Sequence, residues 1–212
     1  MPVRKVSNRG GNIIGRFPSV KLGRMVDFES LIERDLIYLL DFEPEVTWFG
    51  EQPLTLEYEQ QGKVRRYTPD FHVITNGQNS LVECKPQRAV KLPQNQEKFR
   101  AGQIWCAAKG WMFEVVTDEQ LRGGYRLRNV KFLTQFAHYP IDPEVKGRIQ
   151  ACLTTASRPL SLAEVMAQVA PHHPHSIKIP IYYLAFHHEL KLPLDEAPLS
   201  LDTLLSWRGR PT

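Results

Sequence analysis

The sequence has little of what a secreted or membrane-bound protein needs. Its three cysteines, Cys84, Cys106 and Cys152, form no CxxC pair, which argues against a disulfide framework and against a structural zinc site. No stretch approaches the roughly 18 consecutive apolar residues of a membrane-spanning helix. Residues 1–19 lack the apolar core and the cleavage site of a signal peptide. The sequence therefore predicts a cytoplasmic protein that makes no contact with a membrane.

The composition is that of a globular protein with a basic surface. Of its 212 residues, 42% are hydrophobic and 24% are charged, enough to bury a core in one large domain or in a medium and a small one. The net charge of +4 is compatible with a polyanionic partner, because lysine and arginine displace counterions from phosphates. Residues 1–25 are rich in arginine, lysine and glycine, and this composition predicts a loosely ordered basic arm.

The middle of the chain alternates between helical and strand-like patterns. "DFESLIERDLIYLLDF" has apolar residues at helical spacing, with Asp27 as the expected N-cap and Pro44 beyond the end. Strands are predicted for "VTWFGEQ", "LTLEYEQ", "VRRYTPDFHVI" and "NSLVECK", followed by the helix "LPQNQEKFRAGQIWCAAKG" and the strand "WMFEVVT". Thr117 and Gln120 then have the spacing of a capping box. This order predicts an α/β fold in which a mixed sheet is flanked by helices.

The last third of the chain is more helical. Ser161 and Glu164 again have capping-box spacing at the start of "SLAEVMAQVA", and "SIKIPIYYLAFHHEL" supplies a second apolar segment. With the following "KLPLDEAPLS", the pattern is typical of a helix-turn-helix with a small wing. We therefore predict a main domain over residues 26–124, and linker helices with a winged-helix-like α domain over residues 125–212.

Two neighbouring predicted strands carry charges where their ends meet. Asp70 stands at the start of one, and Glu83 and Lys85 stand near the end of the next, two residues apart and therefore on one face. Converging carboxylates repel each other unless a cation lies between them, and Mg²⁺ prefers such oxygen ligands. Lys85 would then orient or deprotonate a water molecule, or neutralise charge on a phosphate. The alternatives are a turn aspartate and an exposed ion pair of little energetic value.

Glu33 is a further candidate carboxylate on the first predicted helix. Helical spacing places it on one face with Glu29, and it borders the apolar stripe beside Ile32 and Leu36. A carboxylate at such a border reaches a buried cation more easily than one on the solvated side. The alternative is a solvated helix surface that includes Arg34.

The series "ESLIERDLIYLLDFEPEV", "WFGEQPL", "RRYTPDF" and "LVECKP" resembles TnsA, the endonuclease subunit of heteromeric transposases, including relatives in CRISPR-associated transposons. TnsA is a member of the PD-(D/E)xK nuclease superfamily. The resemblance implies a restriction-endonuclease-like fold over residues 26–124, with Glu33, Asp70, Glu83 and Lys85 as catalytic residues. It also implies that Glu33, Asp70, Glu83 and the carbonyl of Cys84 bind Mg²⁺, with Mn²⁺ as a substitute. Some members of the family have an amide at the position of Glu83, and the number of metal ions is left open.

The resemblance also implies an activity and partners. A TnsA-like enzyme hydrolyses a phosphodiester of double-stranded DNA at the 5′ ends of a transposon. It acts in the bacterial cytoplasm with a TnsB-like transposase, which cuts and joins the 3′ ends, and with a TnsC-like AAA+ ATPase. The alternatives are a free-standing restriction or repair nuclease of the same superfamily and a non-catalytic factor that docks DNA.

Other residues are weaker candidates. Four basic side chains next to the predicted site are expected to contact the DNA backbone: Arg65, Arg66, Arg88 and Lys91. The "PHHPH" segment, with His172, His173 and His175, lacks the spacing of a zinc site, and we expect none there. Trp48, Trp105 and Trp111 are expected in the core.

Overall fold

A computed structural model describes residues 13–208 of the chain. Contacts divide it into two compact units, the first ending at Gly123 and the second beginning at Gly124. Among the described residues, no helix is both long enough and apolar enough to cross a membrane.

The first unit contains a four-stranded sheet with helices, together with two hairpins. Its elements are β1 (Gly15–Ser19), β2 (Arg24–Phe28), α1 (Leu31–Phe42), β3 (Val46–Glu51), β4 (Leu56–Gln60), β5 (Lys63–Tyr67), β6 (Phe71–Thr75), β7 (Gln78–Lys85), α2 (Gln87–Val90), α3 (Pro93–Lys109), β8 (Met112–Thr117) and α4 (Asp118–Arg122). The main sheet has the order β3-β6-β7-β8, antiparallel except for the parallel pair β7 and β8. The predicted mixed sheet flanked by helices is confirmed, and it is consistent with a restriction-endonuclease-like fold.

The region before α1 differs from the prediction. Within the predicted loosely ordered arm, residues 15–19 belong to an antiparallel hairpin with residues 24–28, and its Phe17 and Val26 are buried. Residues 1–12 of that arm lie outside the described residues. The predicted N-cap at Asp27 is wrong, because this residue pairs within the hairpin. Ser30 caps α1 instead, its side chain accepting a hydrogen bond from the backbone N–H of Glu33.

The run predicted as one strand over residues 64–74 is two strands in two different sheets. Among the described strands, β5 pairs with β4 alone, as a hairpin, whereas β6 lies between β3 and β7. Pro69 separates them, and a proline has no backbone N–H to donate to a ladder. The break has a consequence for the site, because it places Asp70 immediately before the central strand β6.

An ion pair connects the N-terminal hairpin to the main sheet. The Arg24 guanidinium donates two hydrogen bonds of 2.9 and 2.8 Å to the carboxylate of Glu51, which is buried at the end of β3. Burial alone would raise the pKa of Glu51, but the hydrogen bonds and the charge of Arg24 outweigh it and lower the pKa below its ordinary value.

We expect Glu51→Gln to lower the free energy of unfolding at pH 7 by roughly 1–2 kcal/mol. This is the contribution of a charged hydrogen bond, reduced because Arg24 is partly exposed to solvent. A carboxyl with a lowered folded-state pKa stabilises the protein above its ordinary pKa, and this contribution is lost as the pH falls. The difference between wild type and variant should therefore shrink below the ordinary pKa of 4.5. Urea unfolding at pH 7 and pH 3.5 measures it, and an equal difference at both values would contradict this account.

The second unit combines helices with a small antiparallel sheet. Its elements are α5 (Arg126–Thr134), α6 (Pro143–Thr155), β9 (Leu160–Ser161), α7 (Leu162–Val169), a 3-10 helix (Pro174–Ile177), α8 (Lys178–Phe186), β10 (Leu190–Lys191) and β11 (Leu204–Trp207). The strands have the order β10-β11-β9. The capping boxes predicted at Thr117 and Ser161 are both confirmed. The helix predicted over residues 176–190 is shorter, since α8 ends at Phe186.

Three tryptophans, Trp48, Trp105 and Trp111, form a partly exposed cluster, and their predicted burial in the core is wrong. Trp48 is 40% exposed on the edge strand β3 and lies edge-on to His72, while Trp111 stacks on His72 with ring centroids 4.4 Å apart. Trp105 contacts Trp111 edge-on at 5.3 Å. Gly50 permits this arrangement, because a Cβ at that position would lie 2.5 Å from the Trp48 ring.

Candidate active site

The strand register brings Asp70 opposite Glu83. β6 and β7 are antiparallel with Phe71 opposite Val82, so the next row beyond the end of β6 holds Asp70 and Glu83. Because β6 begins only at Phe71, the Asp70 side chain supplies the acceptor for β7 in this row. Its Oδ2 accepts a hydrogen bond of 2.7 Å from the backbone N–H of Cys84. The expected convergence of these two acidic residues is therefore present in the structure.

Glu83 is held by two donors. Its Oε1 lies 2.5 Å from the ammonium of Lys85, and its Oε2 accepts a hydrogen bond of 2.7 Å from the hydroxyl of Tyr67. The Glu83 side chain is only 3% exposed and that of Lys85 is 23% exposed. The pair on one strand face is thus a desolvated ion pair inside a cleft, and the alternative of an exposed surface pair is wrong.

Glu33 lies at the start of α1 and lines the same cleft, but other donors occupy its carboxylate. One oxygen accepts a hydrogen bond of 2.7 Å from the backbone N–H of Glu29, and the other accepts one of 2.8 Å from the Ser30 hydroxyl. The structure therefore brings Glu33 to the site in a helix-capping arrangement. The alternative that Glu33 belongs to a solvated helix surface is wrong, because Glu33 is half-buried in the wall of the cleft.

Cys84 contributes through its backbone. Its side chain is buried, and its N–H points toward Asp70. The N–H and C=O of one residue in an extended strand point to the same side. The carbonyl oxygen of Cys84 therefore also faces the side of the strand on which Asp70 lies, where the predicted metal ligand is needed.

Gln52 supports Asp70 from the other neighbouring strand, and the sequence did not identify it as a site residue. Its backbone N–H donates a hydrogen bond of 2.8 Å to the carbonyl of Asp70. It has a φ of 45°, in the left-handed region that costs energy for a residue with a side chain. The sequence carried no signal for this role, because Gln52 acts through its backbone, and a strained non-glycine backbone is visible only in the structure.

The cleft that Asp70, Glu83 and Glu33 line has a volume of about 880 Å³ and is acidic overall. Its charged lining consists of five acidic residues and three basic ones: Glu29, Glu33, Glu57, Asp70, Glu83, Arg66, Lys85 and Lys98. Of the four arginines and lysines expected to contact DNA, only Arg66 lines it, and its guanidinium is paired with Glu57 at 3.0 Å. The other three, Arg65, Arg88 and Lys91, are exposed elsewhere on this unit.

Lys98 is a cleft residue that sequence reasoning missed. It lies on α3, is half-buried, and among residues 13–208 forms no hydrogen bond or ion pair. A half-buried ammonium that lacks a carboxylate partner is available to an anion that enters the cleft. The sequence carried no signal for Lys98, because helical spacing alone does not show which polar residues of α3 face the site.

Burial and neighbouring charges both shift the pKa values of several ionisable groups in the cleft. Burial raises the pKa of Asp70 well above its ordinary value, and the nearby charges of Glu83 and Glu33 raise it further. Burial also raises the pKa of Glu33, more than its hydrogen bonds lower it. Burial lowers the pKa of Lys85, but Glu83 and Asp70 outweigh it, so that the net pKa of this ammonium is raised. Lys85 is therefore charged at neutral pH.

The donor set matches a hard divalent cation in kind. Within the described part of the chain, no three His, Cys, Asp or Glu side chains are gathered closely enough to hold a metal ion. The candidate donors are nevertheless all oxygen atoms, as Mg²⁺ prefers. Among the charges that act on Asp70, two are negative (Glu83 and Glu33) and one is positive (Lys85), so the cluster lacks positive charge. A divalent cation would supply that charge, so the residues present fit the group that the resemblance implies.

The mixed sheet has Pro69-Asp70 before one strand and Glu83-Cys84-Lys85 at the end of the next, which is the order of the PD-(D/E)xK motif. Residues 43–118 match the family described as TnsA-like endonuclease N terminal. Over these residues, the first unit is similar to the N-terminal domain of TnsA-like endonucleases. The matched residues contain Asp70, Glu83 and Lys85 but begin after Glu33. A search of curated proteins finds no match.

Proposed function

We propose that this protein is a Mg²⁺-dependent endonuclease that hydrolyses DNA at the 5′ ends of a transposon in the bacterial cytoplasm. In this proposal it acts with a TnsB-like transposase and a TnsC-like AAA+ ATPase. The observation that carries the proposal is the Asp70–Glu83–Lys85 row at the floor of an acidic cleft, within a domain of the TnsA-like endonuclease family.

In the proposed mechanism, the metal would be held by Asp70, Glu83 and the Cys84 carbonyl, with Glu33 as a further ligand. A bound Mg²⁺ supplies Lewis acidity and lowers the pKa of coordinated water. Lys85 retains its proton, since its pKa is raised, and this favours a role as a fixed positive charge over a role as a general base. Its ammonium orients the attacking water and offsets the charge that develops on the phosphate.

Lys98 is proposed to bind a DNA phosphate. We expect Lys98→Ala to raise the KM for DNA about tenfold while changing kcat much less, because a contact made equally in the ground and transition states affects binding alone. The slope of log K against log salt concentration should fall by about one. The matched control is Arg100→Ala on the same helix, which lines a different groove. Equal effects of the two substitutions would show that Lys98 has no specific role.

Cleavage assays with defined helpers test the proposed function. The purified chain is incubated with DNA that carries transposon ends, in Mg²⁺ or in EDTA, with and without the transposase and the ATPase. We expect cleavage only with Mg²⁺ and the transposase. Cleavage by the chain alone would support a free-standing nuclease, and a gene neighbourhood without transposase genes would point the same way.

The non-catalytic alternative makes a different prediction for one variant. If the protein only docks DNA and partners, Lys85→Ala should leave transposition intact. In the proposed function, Lys85→Ala removes the 5′ cut while the complex still assembles. Immunoprecipitation of the transposase together with mapping of the product ends separates the two outcomes.

The second unit is proposed to bind a partner protein as a winged-helix-like domain. From α6 onward, and apart from the 3-10 helix, its elements follow the order helix, strand, two helices and two strands, which supports the comparison. Residues 192–203, between β10 and β11, would be the wing. α8 contains a single lysine and has five buried residues in nine, which leaves little for reading DNA bases. A chain that ends at Gly123 should lose binding to the ATPase, and unchanged binding would refute this role.

A further inference from the structure

The Tyr67 hydroxyl is buried against the proposed site. Tyr67 ends β5, is 4% exposed, and donates its hydrogen bond of 2.7 Å to Oε2 of Glu83. A buried tyrosine hydroxyl needs a partner, whereas a phenylalanine ring would fill the same apolar space without one. The hydroxyl therefore acts on Glu83, beyond any contribution of the ring to packing.

Tyr67 and Lys85 together fix the plane of the Glu83 carboxylate. Lys85 contacts one of its oxygens and Tyr67 the other, so neither oxygen rotates freely. The two holders come from different elements, because Lys85 lies on β7 itself and Tyr67 on the β4–β5 hairpin. Only Thr68 and Pro69 separate Tyr67 from Asp70, so the same short segment positions both proposed acidic ligands.

We propose that Tyr67 is a positioning residue that orients the Glu83 carboxylate for a divalent cation. This inference rests on the proposed function of the site. A carboxylate that is already oriented loses little freedom when it coordinates the ion, and residues that orient ligands in this way are typically worth about 10–100-fold in metal affinity. The hydroxyl leaves lone pairs of both Glu83 oxygens available, since each carboxylate oxygen accepts more than one contact.

The test is Tyr67→Phe in the full chain, with Mn²⁺ as the probe and no DNA present. Titration calorimetry or the electron paramagnetic resonance of free Mn²⁺ should show a dissociation constant about 10-fold or more above that of wild type. In a separate assay with transposon-end DNA and the transposase, cleavage by the variant should be weak at low Mn²⁺ and should return toward the wild-type rate as Mn²⁺ is raised. The matched control is Tyr58→Phe on β4, whose side chain lines a different groove, and it should bind Mn²⁺ as wild type does.

The outcomes separate this inference from the proposed function. If Tyr67→Phe binds Mn²⁺ as tightly as wild type while Asp70→Asn does not bind it, the role of Tyr67 is refuted and the metal site stands. If Asp70→Asn also binds Mn²⁺ as wild type does, the metal site itself is refuted. A defect of a folded Tyr67→Phe variant that high Mn²⁺ does not restore would also overturn the positioning role.

Discussion

Replacement of Asp70 by asparagine is expected to abolish DNA cleavage and, without metal, to stabilise the fold. Asparagine keeps an oxygen that accepts the Cys84 N–H but loses the charge that a metal ion needs, so cleavage should fall by about 1000-fold or more. Removal of the charge ends the desolvation of a buried carboxylate and relieves its repulsion from Glu83 and Glu33. The free energy of unfolding in EDTA should therefore be higher for the variant than for wild type.

The stability gain should depend on pH in a defined direction. A carboxyl whose folded-state pKa is raised keeps its proton longer in the folded protein, so wild-type stability falls as the pH rises above the ordinary value of 3.8. The advantage of Asp70→Asn should therefore be small at pH 4 and larger at pH 7. The matched control is Asp118→Asn, where the carboxylate also accepts a backbone N–H, at 2.8 Å, but lies outside the cleft. An Asp70→Asn variant that is less stable than wild type in EDTA would contradict the electrostatic account of the cluster.

Lys85→Met should lose cleavage to a similar degree but with the opposite effect on stability. The apolar stem is kept while the charge is removed, and loss of a charge that stabilises the transition state costs about 100–1000-fold in rate. Glu83 would be left buried with Tyr67 as its remaining donor. We expect a loss of roughly 2 kcal/mol in the free energy of unfolding, less than for a fully buried pair because Lys85 is partly exposed.

A second substitution separates the two effects of Lys85→Met. Adding Glu83→Gln removes the uncompensated charge, so stability should return toward that of wild type while cleavage stays absent. The exposed Lys63→Met on β5, outside the cleft lining, serves as the control for loss of a positive charge. If Lys85→Met unfolds as wild type does, the Glu83–Lys85 pair has no energetic importance. If it cleaves as wild type does, Lys85 has no role in the reaction.

Short-range rules were enough to predict that Glu83 and Lys85 share one strand face. The period of two along β7 was enough to place Glu83 and Lys85 on one face, and the register of β6 then placed Asp70 opposite Glu83. Capping chemistry likewise located the starts of α4 and α7. It failed at α1, where Asp27 and Ser30 are both acceptable caps and the pairing of the N-terminal hairpin decided between them.

The residues that the sequence did not reveal depend on long-range packing. Tyr67 reaches Glu83 because the strand is interrupted at Pro69, so that β5 belongs to a separate hairpin with β4, which no periodicity encodes. Gln52 matters through its backbone, so its side-chain type gave no indication of a role. Lys98 lines the cleft because of the way in which α3 is oriented against the sheet. In each case, the contact depends on how elements pack and not on the pattern within one element.

Asp70 and its neighbours are proposed to form the metal site of a transposon-end nuclease, and strand-resolved mapping of cleavage tests this role most directly. DNA with a labelled 5′ and 3′ strand at each transposon end is incubated in Mg²⁺ with wild type or Asp70→Asn, with and without the transposase. We predict a cut at the 5′ ends that requires the transposase and Asp70, while the 3′ cut survives in the variant. A 5′ cut of equal yield with Asp70→Asn would contradict the account.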